Sequence, residues 1–244
     1  MIYQQFEPHP ALAPYIDAYW TATGDKSGSG REKILPDGCI DILFNLGEDC
    51  LTENDSFLLE GGKAYLIGTM TRFKENIMQP DNHLLGIRFK PAAFTLFYDY
   101  PSIYKLADQT VEFDKKLSPD AKTTAKYFTA YLDHFFLNKL MQPNRSLLPI
   151  VTDIQHQNGQ LSVKALAQRH FTTTRQLERS FNQHLGISPK EFINLVRYQH
   201  TFQKIRNNTA NRSLLEIAFE CGYYDHSHLT NEIKKYTGVS PALL

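Results

Sequence analysis

Arg175, Glu178 and Arg179 are spaced so that on a helix they share one face. A guanidinium fork matches guanine O6 and N7, and a carboxylate accepts from cytosine N4, so the trio has the chemistry of a surface that reads base edges. A second set, His226, Ser227, His228 and Asn231, adds an amide able to grip adenine N6 and N7 and a hydroxyl that pairs with either kind of partner. His226 and His228 stand two apart and point to different helix faces, which argues against a shared metal; His228 also suits packing or capping. Cations for phosphate stand at Lys190, Arg197, Lys234 and Lys235. Each set has a plainer reading: the first as a solvated face with i,i+3 and i,i+4 pairing, and Lys234 and Lys235 as charges offsetting a helix C-terminus.

What must position these residues is a repeat. Leu161–Pro189 lies on Arg212–Pro241: Leu166-Ala167 matches Ile217-Ala218, then Leu177, Phe181, Gly186, Ser188 and Pro189 match Leu229, Ile233, Gly238, Ser240 and Pro241, with one extra residue in the second copy's turn. Each copy reads as helix, turn, helix. Ser162 caps the first helix, Thr173 with Gln176 forms a capping box for the next, Ser213 with Glu216 forms another, and Asp225 caps the last. Phe171-Thr172 and Cys221-Gly222-Tyr223-Tyr224 make the turns. Between the copies, Ser188-Pro189-Lys190-Glu191 opens a helix running to about Ile205. At 1.5 Å per residue that rod is roughly 25 Å long, of the right order to hold two units about one DNA turn (~34 Å) apart.

The remainder of the chain reads differently. Short apolar runs at Ile40–Phe44, Ala64–Ile67 and Leu84–Phe89, broken by Pro36-Asp37-Gly38, Gly61-Gly62 and Pro80-Asp81-Asn82, predict a β-rich domain over residues 1–115. Gly24–Gly30 reads as a mobile hairpin loop. Ser118-Pro119-Asp120 reads as a helix start with Ser118 as N-cap, opening one long amphipathic helix through Tyr127, Phe128, Tyr131, Leu132, Phe135 and Phe136 that Pro143 ends; residues 116–146 are thus a helical connector, with Pro143–Ser146 as linker. Residues 147–244 form the helical unit. The fold class is multidomain α+β, a β-rich barrel or sandwich followed by an all-α domain.

In the β-rich part Trp20, Asp41, Arg72 and Arg88 are the candidates for an effector pocket. Asp41 and Arg88 fall inside apolar runs, where a charge is costly unless paired or facing a polar pocket, and one structural ion pair explains both more readily than a ligand contact does. Trp20 suits the core, and Asp37 a tight turn.

Composition narrows the class. The 244 residues carry 26 Lys and Arg against 26 Asp and Glu, so bulk charge names no partner. The neutrality hides an asymmetry: residues 151–244 hold 11 basic against 7 acidic residues and six of the nine histidines, so the second half is the one suited to a polyanion, though an excess this modest decides nothing by itself. Cys39, Cys50 and Cys221 are odd in number and without a CxxC pair, which fits a reducing compartment and gives no zinc site. The opening residues lack a basic and apolar leader, and no stretch approaches 18 apolar residues; a cytoplasmic, membrane-free protein is expected. His9, His83 and His134 are far apart, and no G-x-S-x-G or phosphate-binding glycine loop occurs, so neither an enzyme nor a cofactor is expected.

On Leu166-Ala167, Leu177-x-x-x-Phe181, Leu185-Gly186-Ile187-Ser188-Pro189, Arg197, Ile217-Ala218-x-x-Cys221-Gly222-Tyr223 and Tyr236–Pro241, residues 147–244 resemble the AraC/XylS family of bacterial transcription regulators. The resemblance implies two helix-turn-helix units on one long helix, double-stranded DNA as partner, and RNA polymerase as a second partner if the protein activates. Ile34–Ile42 and Gly86–Pro91 resemble the domain that precedes this module in one subgroup. That implies a small cupin-like β-domain sensing a small-molecule effector, with helices for homodimerisation; a ligand-free domain used only for assembly is the first alternative, and an enzyme domain fused to the DNA-binding module the second. The chain departs from the pattern at Leu229 and Ile233, where the family usually shows two phenylalanines, and at Asn231, where a basic residue is frequent. It stops three residues after Pro241, short of the family's closing helix.

Overall fold

The computed structural model describes residues 1–24, 30–52, 57–100, 103–141, 146–208 and 212–244. Most of the predicted glycine-rich loop, residues 25–29, and most of the predicted linker, residues 143–145, lie outside them.

Ten strands occupy the first part: β1 Ile2–Phe6, β2 Ile16–Thr23, β3 Gly30–Ile34, β4 Ile40–Asn45, β5 Cys50–Thr52, β6 Phe57–Leu59, β7 Ala64–Ile67, β8 Lys74–Met78, β9 His83–Phe89 and β10 Thr110–Glu112. Six form one antiparallel sheet in the order β1-β2-β9-β4-β7-β10, while β3-β8 and β5-β6 are separate two-stranded sheets. Among the described residues the large sheet does not close: β1 and β10 remain at its two edges, so the barrel-or-sandwich expectation resolves to an open sheet faced by two small ones.

Side chains alternate across a strand, so the large sheet has two working faces. One presents Tyr19, Ile42, Phe44, Leu66, Leu85, Ile87 and Phe89 to Phe94, Phe97, Leu132 and Phe136. Phe89 is the hub, its ring 5.4 Å from each of Phe94, Phe97 and Phe136. The other face presents Trp20, Ala22, Leu43, Tyr65 and Leu84, packed with Cys50 and Leu59 of the small β5-β6 sheet.

Helix α1 spans Ala121–Lys139 and differs from expectation at both its start and its middle. Its N-cap is Asp120, not Ser118: the Asp120 carboxylate accepts from the Thr123 amide at 2.8 Å and the Thr123 hydroxyl at 2.6 Å, whereas Ser118 is held in the preceding turn by its amide on Asp114 O. It is not one continuous helix but kinks at Phe128, whose φ of 36° leaves the helical region. That residue's ring meets Phe6 edge-on at 4.8 Å.

Six further helices follow: α2 Leu148–His156, α3 Val163–Arg169, α4 Thr174–His184, α5 Pro189–Arg206, α6 Leu214–Glu220 and α7 His226–Thr237. Their shared core holds Leu166, Leu177, Phe181, Ile217, Leu229 and Ile233, positions that repeat in the sequence, together with Phe192 and Leu195 of α5 between the copies. Thr173–Gln176, Ser188–Glu191 and Ser213–Glu216 each close a capping box, and Ser162 and Asp225 cap α3 and α7. These bonds satisfy helix-start amides that nothing else in the helix can reach.

The two halves touch at several points. Lys33 Nζ donates to Thr237 O at 2.9 Å, Gln199 Nε2 donates to Pro36 O at 3.3 Å, and Thr95 Oγ1 lies 2.7 Å from His184 Nδ1. A Cβ on Gly38, whose φ is +82°, would come within 2.9 Å of the Phe192 ring, so only glycine permits this approach.

Candidate functional site

The helical half presents two outward surfaces. On α4, Leu177 and Phe181 are buried while Arg175, Glu178 and Arg179 are exposed, as is Asn182, which shares the outward face and was not singled out from the sequence. The signal was available: Asn182 follows Arg175 and Arg179 by seven and three residues on the helix. On α7, Leu229 and Ile233 are buried while His226, Ser227, His228 and Asn231 are exposed. His228 has two ties to its own unit, its amide donating to Asp225 at 2.7 Å and its ring meeting Tyr223 edge-on at 5.2 Å. The four α7 side chains therefore project from the first two turns of the helix, where the backbone amides also face outward.

The cations differ in their freedom. Lys190, Lys234 and Lys235 are exposed, and Lys235 rests 4.7 Å from the Tyr236 ring centre. Arg197 is half-buried and committed within the chain: Nη1 donates to Gly222 O at 3.3 Å, Nη2 donates to Asn194 Oδ1 at 3.0 Å, and the guanidinium lies over the Tyr223 ring. It braces the second unit's turn against α5.

The turns correspond bond for bond. In the first unit the His170 amide reaches Leu166 O and the Thr172 amide reaches Ala167 O; in the second the Cys221 amide reaches Ile217 O and the Tyr223 amide reaches Ala218 O. Phe171 therefore occupies the place of Gly222, and both have positive φ, +49° and +76°. The extra residue of the second copy is Tyr224.

In the β-rich half, register brings together residues far apart in sequence. Asp41 pairs across with Arg88, Ala18 pairs with Arg88 from the other side, and Trp20 pairs with Gly86. Trp20 Nε1 donates to Asp41 Oδ1 at 2.7 Å, and Arg88 Nε lies 3.3 Å from Asp41 Oδ1 and 3.4 Å from Asp37 Oδ2. Asp37 also accepts the Cys39 amide at 2.9 Å, so the tight turn and the charge cluster are one object. Trp20, Asp41 and Arg88 all line a cavity of about 360 Å³ between the large sheet and the small ones. That size falls within the range of small-molecule pockets. Its other walls include Tyr3, Leu43, Leu84, Lys33, Lys74 and Asn76.

Burial pushes the Asp41 carboxyl up, to about 6, against the opposing pull of Arg88, while Asp41 in turn holds the Arg88 guanidinium charged beyond its ordinary range. Arg72 does not join this group; its side chain is 73% exposed and sits 3.9 Å from Asp108. Gly86, passed over in the sequence, is what admits the indole: a Cβ there would lie 2.0 Å from the Trp20 ring. A glycine inside an apolar strand run is the signature of such an approach.

Among the described residues no helix is long and apolar enough to cross a membrane. A family model described as a helix-turn-helix domain matches residues 166–244, and one described as a domain of unknown function (DUF6597) matches residues 4–112. The transcriptional activator RhaS of Escherichia fergusonii is 31% identical over 81 residues, covering 33% of this chain and 28% of RhaS. The regulator CdhR of Pseudomonas aeruginosa is 29% identical over 100 residues, covering 41% of this chain and 29% of CdhR. The crystal structure of ToxT from Vibrio cholerae aligns over 100% of this chain and 97% of its own, with 10% identity and a TM-score of 0.49. The chain covers between 28% and 34% of the length of the first curated relatives it matches. On its matched segment, its paired helix-turn-helix units and its capped, repeated core, residues 166–244 carry an AraC-type helix-turn-helix domain, with a DUF6597 domain over residues 4–112 in front of it.

Proposed function

We propose that the chain is a sequence-specific, double-stranded-DNA-binding transcription regulator. The doubled unit carries the reading: two capped helices with buried apolar faces and exposed polar N-terminal halves, joined by α5, whose 18 residues span about 27 Å. In this reading α4 and α7 enter successive major grooves. Arg175 and Arg179 grip guanine, Glu178 accepts from cytosine, and His226, Ser227, His228 and Asn231 read the second groove. Lys190, Lys234 and Lys235 hold phosphates, and Arg197 acts through the turn it braces.

The β-rich half serves as a sensor for a small-molecule effector. The cavity at Trp20, Asp41 and Arg88 supports this over a domain used only for assembly, because an assembly scaffold has no need of a buried charge cluster facing open space. Homodimerisation through this half, and contact with RNA polymerase if the protein activates, complete the proposal. Selection of bound fragments from random DNA with the full chain, at one stated salt concentration, tests it. An asymmetric site spanning two adjacent major grooves is expected, doubled if the protein dimerises; failure to enrich any sequence overturns the reading.

A further inference from the structure

Phe171 is the most exposed large apolar side chain of the protein's described residues, 99% accessible, and it sits on a backbone of φ +49°. A bulky residue in that region is strained, and the second unit uses Gly222 at the same place. Packing does not repay the strain, because the ring is buried against nothing. The second unit also carries an exposed ring in its turn, Tyr224, at 85%. Phe171 stands two residues before the N-cap Thr173, and Tyr224 stands directly before the N-cap Asp225. Each unit thus carries one exposed ring in the turn before its outward-facing helix, at positions that do not correspond: Phe171 stands where the second unit has Gly222, and Tyr224 is the inserted residue.

Resting on the DNA-binding reading, we infer that Phe171 and Tyr224 are DNA-contact residues that press on the groove edge beside each recognition helix. When the N-terminal half of a helix enters a major groove, the turn before it passes over the sugar-phosphate rim. There a duplex offers deoxyribose carbons to an apolar ring and phosphate oxygens to a phenol. The surroundings of Phe171 favour a polyanion: Arg175 and Arg179 are exposed on the helix it precedes. The backbone strain is then a cost of holding the ring at the rim.

The test uses the full chain, the DNA site selected by the wild type, and the variants Phe171→Gly and Tyr224→Ala. Phe171→Gly relieves the strained φ, so its melting temperature is expected to match or exceed the wild type's, which separates binding from folding. Both variants are expected to weaken binding by roughly fivefold or more, the low end of what one lost base-pair contact does. Affinity equal to wild type in both variants overturns the inference while leaving the regulator reading intact. So does unchanged DNA affinity with lost transcriptional output, which assigns the rings to a protein partner. If the wild type selects no DNA, the regulator reading fails and this inference fails with it.

Discussion

The titration of Asp41 can be followed directly, because its hydrogen-bond donor is the single tryptophan of the chain. The folded carboxyl titrates at about 6 against an ordinary value of 3.8, which corresponds to roughly 3 kcal/mol of differential stability. Between about pH 4 and pH 6 the folded protein holds a proton that the unfolded chain has released, so Asp41 makes stability fall as pH rises through that window and level off above it. This is opposite in sign to an ordinary salt-bridged carboxylate. The assay has two arms, Trp20 emission against pH on the folded protein, and urea unfolding at several pH values for wild type and Asp41→Asn. Emission is expected to titrate with a midpoint near pH 6 and to lose that transition in Asp41→Asn. The stability difference between the two proteins is expected to shift in the variant's favour as pH rises. A midpoint in the ordinary carboxylate range, or a transition that persists in Asp41→Asn, refutes the view that burial outweighs Arg88 at this carboxyl.

Three further outcomes are expected. Arg175→Ala should lose about 1–3 kcal/mol at one position of the selected site with relaxed preference there, whereas Lys235→Ala should weaken all sequences alike; competition binding against single-base variants distinguishes them. Gly86→Ala should destabilise the fold by roughly 1–3 kcal/mol in urea unfolding and shift Trp20 emission, because the new Cβ occupies the indole's place. Ser188→Ala should cost about 1 kcal/mol by removing the side-chain acceptor for the Glu191 amide at the start of α5.

The helical half was legible because its determinants are local. A capping box spans three residues and a buried stripe recurs every three or four, so the repeat exposed both units, both turns and α5. Strands β4, β7 and β9 were legible as apolar runs, but β1, β2, β3, β5, β6, β8 and β10 were not, since their partners more than their own residues make them strands. Ser118 outranked Asp120 as a cap on paper because Ser-Pro is a strong start signal; the carboxylate won because it collects two donors from Thr123. Convergence of Trp20, Asp41 and Arg88 depends on the register of three strands drawn from residues 16–89, which no short window contains. Arg72, in the turn after β7, had the same credentials in sequence and lies elsewhere. The positive φ of Phe171 was hidden because glycine, the usual marker, is absent there.

Strand β9 lies between β2 and β4 although it follows both by some forty residues or more. Until it joins, neither neighbour has its central partner, so the sheet assembles late and through long loops, whereas the individual helices of the other half form on contacts within a turn or two of chain. The two halves therefore acquire structure on different clocks. Substitutions that slow the sheet will expose unpaired edges of β2 and β4 during folding while the capped helices are already formed, and aggregation in such variants will originate in the first hundred residues.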